Sequence, residues 1–114
     1  MTSYDSGDIV LVRYPFTDLT TSKKRPAVIV SPRTFTDRFG DVVLVPLTSG
    51  SASDASLALS EWRAAGLLKP TWVKPVIGTL AKRLIEKRIG KLADADIQCV
   101  RTALSILLSA HWNV

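Results

Sequence analysis

The residue types that do chemistry are unevenly supplied in this chain. It has one histidine, His111, and one cysteine, Cys99, twelve positions apart. Metal sites need His, Cys or carboxylate clusters at ligand spacing, and these two make none. A Ser/His/Asp or Cys/His arrangement would depend on the same lone histidine, which falls on the apolar face of a helical pattern and reads as a packed residue. The six glycines are isolated from one another, so no phosphate-binding loop is present. Nothing singles out a carboxylate pair for glycosidase chemistry.

What remains is arginines and hydroxyls on a basic background. Phosphodiester cleavage in RNA needs little more, because the substrate carries its own nucleophile, the 2′-hydroxyl. A protein that sets this group in line with the neighbouring phosphorus must stabilise charge on the phosphoryl oxygens. The planar guanidinium of arginine, which grips two oxygens at once, suits that task. A hydroxyl or carboxylate nearby can assist proton transfer. Arg25 stands between Lys23-Lys24 and an apolar run entered through Pro26, so its backbone is pinned while its side chain can face out. Thr48 follows a further apolar run directly, after Pro46-Leu47. If the two runs are neighbouring strands, Arg25 and Thr48 share one mouth of the fold. The same residues also read as a solvated charge run and the first residue of a turn.

The charge agrees with a polyanion-facing surface. The formal net charge is +5, and it is concentrated: residues 23–91 hold thirteen basic and five acidic side chains, whereas both flanking segments are mildly acidic. Solubility charge on a solvated face is the plainer reading of the same numbers. Apolar residues at 46% and charged residues at 22% exclude a disordered tail and fit one domain over 1–114 that can bury a core without staples. The lone cysteine fits a reducing cytosol. No apolar run of about 18 residues suggests a membrane span, and the N-terminus lacks the pattern of a signal peptide.

The elements that must position Arg25 and Thr48 are short strands. Ile9–Tyr14, Ala27–Val30 and Asp41–Val45 are β-branched runs, each closed by a proline, and the last two are apolar without alternation. That predicts burial on both faces or a tightly curled sheet. Thr48 to Ser56 reads as an exposed loop, Leu57-Ala58-Leu59 as a short strand, and Thr71 to Leu80 as a strand broken by Pro75 and Gly78. Leu84 to Leu92 alternates like a strand but has helical composition. Ile97, Val100, Leu104, Leu107, Leu108 and His111 recur at helical steps, with Asp94 as the expected N-cap. The fold class expected is mainly β, a small curved antiparallel barrel with a closing helix. Trp72 reads as core or as a base-stacking platform, core being the plainer reading. Trp62, in Glu61-Trp62-Arg63, reads as core or as a base-stacking platform.

Three stretches carry a resemblance to a known family. Gly7-Asp8-Ile9-Val10-Leu11-Val12, Lys24-Arg25-Pro26-Ala27-Val28-Ile29-Val30-Ser31 and Val45-Pro46-Leu47-Thr48-Ser49 are similar, in this order and spacing, to the MazF/PemK toxins of type II toxin–antitoxin systems. Ile77-Gly78-Thr79-Leu80, Ile89-Gly90-Lys91-Leu92 and the closing helix extend the likeness over about residues 7–110. The resemblance implies an SH3-like barrel, a homodimer, and a metal-independent endoribonuclease that cuts single-stranded RNA to a 2′,3′-cyclic phosphate and a 5′-hydroxyl. It implies no cofactor, and a cognate antitoxin with an acidic and apolar segment lying across the RNA groove. It places the catalytic pair on Arg25 and Thr48. Around that pair the expected RNA contacts are Thr17, Lys23, Lys24, Ser49, Lys74 and Thr79.

The sequence also departs from the family. No carboxylate follows Asp18 in the loop before Arg25, Pro75-Val76-Ile77-Gly78 stands where relatives are polar, and Ala93 replaces a serine helix cap. Two other readings fit the fold. One is a gyrase-binding toxin of the CcdB kind, acting through a tryptophan tail such as His111-Trp112-Asn113-Val114. The other is a non-catalytic RNA-binding barrel.

Overall fold

Three apolar runs lie side by side as the middle of one antiparallel sheet. In the computed structural model, which describes residues 3–13, 23–50 and 54–109, these are β1 (Asp8–Arg13), β2 (Lys24–Ile29) and β3 (Asp41–Thr48). Then follow β4 (Trp72–Val73), β5 (Gly78–Ala81) and β6 (Ile85–Lys91); helix α1 (Arg33–Phe39) joins β2 to β3, and α2 (Ile97–Leu108) closes the described chain. The order across the sheet is β4-β3-β2-β1-β6, and β5 also pairs with β3. Thus β5 and β6 lie on opposite sides of the sheet, yet only Lys82–Leu84 connects them. The four steps from Ala81 to Ile85 reach about 14 Å at most, so the sheet curls until its edges approach. It stays curled rather than closed: among the described residues β5 and β6 form no ladder.

Curling gives each central strand two dry faces. Val10, Val12, Ala27, Ile29, Val42 and Leu44 point into the concave side with Leu80 and Ile85. The alternate residues Ile9, Val28, Val45 and Leu47 point outward into a second core. That core is closed by Leu57, Leu59, Leu67, Val100 and Ala103 from the 55–71 segment and α2. The cross-strand pairs Ile9–Val28 and Val28–Val45 hold the outer face in register, and Val10–Ala27 and Ile29–Leu44 hold the inner. Unbroken apolar runs are what this arrangement requires, and each large side chain buried this way contributes about 1.5–3 kcal/mol.

The third strand does not stop at Pro46 as its sequence suggests; it runs on to Thr48. Pro46 sits opposite Ala27 on one side, and on the other its carbonyl accepts the Lys74 N–H at 3.0 Å. The N–H that proline lacks would have served the Lys74 carbonyl, which instead accepts from Val76 N–H at 2.7 Å. The break around Pro75 is real, and it separates β4 on Leu47–Thr48 from β5 on Asp41–Leu44 with a shifted register.

Other expectations are corrected locally. Leu57-Ala58-Leu59 is no strand. Ala55–Leu57 is a 3-10 turn whose Asp54 carboxylate accepts the Ser56 N–H and hydroxyl, contacts that also hold its pKa below the usual value. Ala58 makes only a single bridge to Trp72. Helix α1 is absent from the sequence reading. Asp94 does not cap α2; it opens a 3-10 turn, Asp94–Asp96, and neither Asp94 nor Asp96 makes a side-chain cap bond. Within α2 the buried residues are Val100 and Ala103, while Ile97 and Leu108 of the expected apolar face are exposed, as is Ile106. His111 and Trp112 lie outside the described residues.

Asp96 has a different task. Fully buried, it accepts Ser60 N–H at 2.8 Å, Ser60 hydroxyl at 2.9 Å and Glu61 N–H at 2.9 Å. This ties the 55–71 segment to the start of α2, and Cys99 adds a bond from Sγ to the Ala58 carbonyl at 3.2 Å. Burial, then the nearby Asp96 charge, push the Cys99 thiol up. A little further on, the segment meets β6 backbone to backbone: a Cβ on Gly90 would lie 2.1 Å from the Ala65 carbonyl oxygen, and one on Gly66 would lie 2.7 Å from that of Ile89. Asp96→Ala should therefore destabilise the fold by about 2–4 kcal/mol, because it strands several donors at once. Urea unfolding of the variant checks this, and a loss below about 1 kcal/mol would show that water replaces the carboxylate at little cost.

Candidate functional site

With the strand interiors dry on both faces, polar chemistry is left to the strand ends. Arg25 is the second residue of β2 and Thr48 the last of β3. The β2–β3 register pairs Ala27 with Pro46; carried two residues further, it sets Arg25 level with Thr48. Both stand on the concave side, continuing the inward-facing series Ile29-Ala27 and Leu44-Pro46 past the end of the buried core. Neighbouring strands lie about 5 Å apart, so the two side chains leave adjacent backbones.

Their partners differ. The Thr48 hydroxyl oxygen accepts the Gly50 N–H at 3.1 Å, which orients the group and leaves its O–H to donate. Arg25 is half-buried beside Val12 and has no hydrogen bond or ion pair among the described residues. A fixed hydroxyl donor next to an unengaged guanidinium is suited to hold a phosphodiester by its non-bridging oxygens.

The other expected contacts scatter. Lys23 is exposed just ahead of β2. Lys24 alternates to the face opposite Arg25 and is engaged, its Nζ lying 3.1 Å from Oε2 of Glu86, whose Oε1 also lies 3.8 Å from Arg13 Nε. Nothing local in the sequence marks Glu86, because its partners Arg13 and Lys24 are distant along the chain and only the pairing of β1 with β2 and β6 brings them to it. Arg13 and Lys24 are cross-strand partners, and Glu86 on β6 answers both. Ser49 points to the outer side, where it lines a groove of about 490 Å³ with Leu11, Pro26, Leu67, Leu68 and Ile89. Lys74 is half-buried opposite Pro46, close to Thr48. Thr79 pairs with Val43, five residues back along β3 and so about 16 Å from Thr48. Thr17 lies outside the described residues. Among the described residues no three His, Cys, Asp or Glu side chains are grouped as metal ligands.

Of the two tryptophans, only Trp62 takes the core role open to both. Trp62 packs against the outer core with the Arg63 guanidinium 4.8 Å over its ring. Trp72 belongs to neither core: it takes the face opposite its outer-core neighbour Val73, level with Thr48 and past the end of the inner core.

The basic surface is partly neutralised in place. Arg88 pairs with Asp8 at 3.1 Å, lies 5.1 Å over the Tyr4 ring and donates to the Ser3 carbonyl. Among the described residues no helix is long and apolar enough to cross a membrane.

The sequence profile of the PemK-like, MazF-like toxins of type II toxin–antitoxin systems matches residues 5–108. No curated protein matches by sequence. Among solved structures, an endoribonuclease in complex with its cognate antitoxin from a mycobacterial species is similar, with TM-score 0.75 and 23% identity over 97% of this chain and 100% of that one. MazF from Deinococcus radiodurans is similar with TM-score 0.76 and 20% identity, over 96% and 100% of the two chains. The Mycobacterium tuberculosis toxin MazF-mt6 reaches TM-score 0.71 at 17% identity, over 92% and 99%. At these identities the likeness is one of fold.

The Glu86 ion pairs are solvent-facing, so Glu86→Gln should cost less than about 1 kcal/mol of stability. The difference should shrink in high salt. Thermal unfolding at low and high sodium chloride measures both, and a loss independent of salt would mean that Glu86 acts through packing.

Proposed function

We propose that this chain, which belongs to the PemK-like, MazF-like toxins of type II toxin–antitoxin systems, is a metal-independent endoribonuclease for single-stranded RNA. The observation that carries the reading is the level placement of Arg25 and Thr48 at the ends of β2 and β3, with the guanidinium unengaged and the hydroxyl oriented by Gly50. The scissile phosphate lies against this pair. Arg25 takes its non-bridging oxygens in the bidentate geometry that guanidinium favours, and Thr48 donates its O–H to the same group. As the 2′-oxygen bonds to phosphorus it gives up its proton to solvent, and as the bond to the 5′-oxygen breaks that oxygen takes a proton from solvent. The products are a 2′,3′-cyclic phosphate and a 5′-hydroxyl. The two protein groups act by stabilising the charge that develops on the phosphoryl oxygens.

In this reading the protein works as a homodimer in the cytoplasm, and a cognate antitoxin restrains it with an acidic and apolar segment. The concentration of positive charge in residues 23–91 supports such a partner. So does the fold shared with a mycobacterial endoribonuclease that is seen with its own antitoxin.

Purified protein mixed with single-stranded RNA and EDTA should yield cleavage with cyclic-phosphate ends. Arg25→Ala should lower the rate by roughly 100- to 1,000-fold with the fold intact, and Arg25→Lys should restore little, since an ammonium lacks the fork. Thr48→Val should reduce kcat far more than RNA affinity; an equal loss of both would make Thr48 a groove contact only. A single 2′-deoxy nucleotide at the cut site should abolish cleavage and weaken binding only slightly. Cleavage of that deoxy substrate would make water the nucleophile and overturn the mechanism.

A further inference from the structure

Beside the proposed catalytic pair stands a large aromatic side chain that neither core employs. Trp72 is the direct cross-strand partner of Thr48 in the β3–β4 ladder. Directly opposed residues in an antiparallel pair share a face, with Cβ atoms about 5 Å apart. Val73, the next residue, is buried in the outer core with Leu47, its own partner. Strand alternation therefore turns Trp72 to the side of Thr48 and Arg25. Its indole is half-buried, packs into neither core cluster and makes no hydrogen bond or ring contact among the described residues. Its cross-strand neighbour on the other side is the small Ala58.

We infer that Trp72 is the stacking platform for a base of the RNA next to the scissile phosphate, a placement that rests on the nuclease reading of Arg25 and Thr48. Three strands set the row: Arg25 on β2, Thr48 on β3 and Trp72 on β4, at intervals of about 5 Å. A phosphate held by the first two puts an adjoining nucleotide over the third. Lys74, two residues beyond Trp72 and opposite Pro46, supplies a cation to the same stretch of backbone. Stacking is indifferent to base identity, because every base has a π face. Trp72 thus fixes where the strand lies and which phosphate meets Arg25, and it leaves the choice of sequence to other groups.

The test uses the full-length protein and a single-stranded oligoribonucleotide spanning the site that the wild type cuts, with a 2′-deoxy nucleotide at the cut. Trp72→Leu keeps an apolar side chain without a π face, and Trp72→Phe keeps a π face. We expect Kd to rise about 5- to 150-fold for Trp72→Leu and to stay close to wild type for Trp72→Phe. Trp72→Ala should match Trp72→Leu, and thermal unfolding confirms that each variant is folded. An abasic nucleotide on one side of the cut should weaken binding to the wild type by a similar factor, yet cost Trp72→Leu nothing more. Binding of Trp72→Leu equal to wild type, or the same abasic penalty in both proteins, would overturn the stack while wild-type cleavage leaves the nuclease reading in place. Trp72-dependent binding of this oligonucleotide, with no cleavage of its all-ribose counterpart or of any other single-stranded RNA by the wild type, would overturn the nuclease and keep the stack.

Discussion

The three central strands must be dry on both faces, and the rest of the molecule follows from how that is arranged. The concave face is dried by the sheet itself, which curls until the turn Lys82–Leu84 can carry the chain from β5 to β6. The convex face needs a cover from elsewhere, and the 55–71 segment with α2 provides it. That cover is tied down by the buried carboxylate of Asp96, which gathers Ser60 and Glu61 onto the helix start, and by Cys99 on the Ala58 carbonyl. The Asp96 lone pairs are used to hold the cover, and the helix begins without a side-chain cap. No position inside β1 to β3 is then left for polar chemistry. The ends of the strands are the available ground, and that is where Arg25 and Thr48 stand.

Much of this was legible because it is written in composition. Val42, Val43, Leu44 and Val45 in an unbroken row say that both faces are covered, and the structure supplies both covers. Arg25 and Thr48 were legible because each adjoins such a row. Pro46 misled because its cost depends on which neighbour its nitrogen faces. Here that neighbour, Lys74, satisfies its carbonyl through Val76, a repair made by residues some thirty positions away. Helix α1 was invisible for a related reason. Its seven residues include β-branched and aromatic types that favour strands, and what holds it is a left-handed Gly40 with its N–H on the Thr36 carbonyl at 2.8 Å, together with contact to β3. Trp72 illustrates the limit of hydropathy. A tryptophan between a buried threonine and a buried valine looks interior, and only the strand's facing decides otherwise.

Charge in this protein separates into committed and uncommitted cations. Lys24 and Arg13 answer Glu86, and Arg88 answers Asp8 and the ring of Tyr4. Counting lysines and arginines along the chain therefore overstates the field that a polyanion would meet. Arg25 lies one residue from Lys24 and yet stands outside that exchange, since alternation along β2 points it away from Glu86. A period of two in the backbone thus sorts adjacent basic residues into one held by an ion pair and one turned away from it.

The contact between Ala65–Gly66 and Ile89–Gly90 bears on how such a chain can change over evolutionary time. A core made of side chains drifts by compensation: one residue grows while its neighbour shrinks, and the volume is kept. Here the two layers touch mostly through carbonyl oxygens and glycine α-carbons, with the Ile89 side chain alone beside Gly66, so there is little side-chain volume to trade. An accepted change at one of these glycines would require the whole 61–67 turn to lift from β6. This small patch offers no gradual route of substitution, and lineages that keep the cover can vary freely around it but scarcely through it.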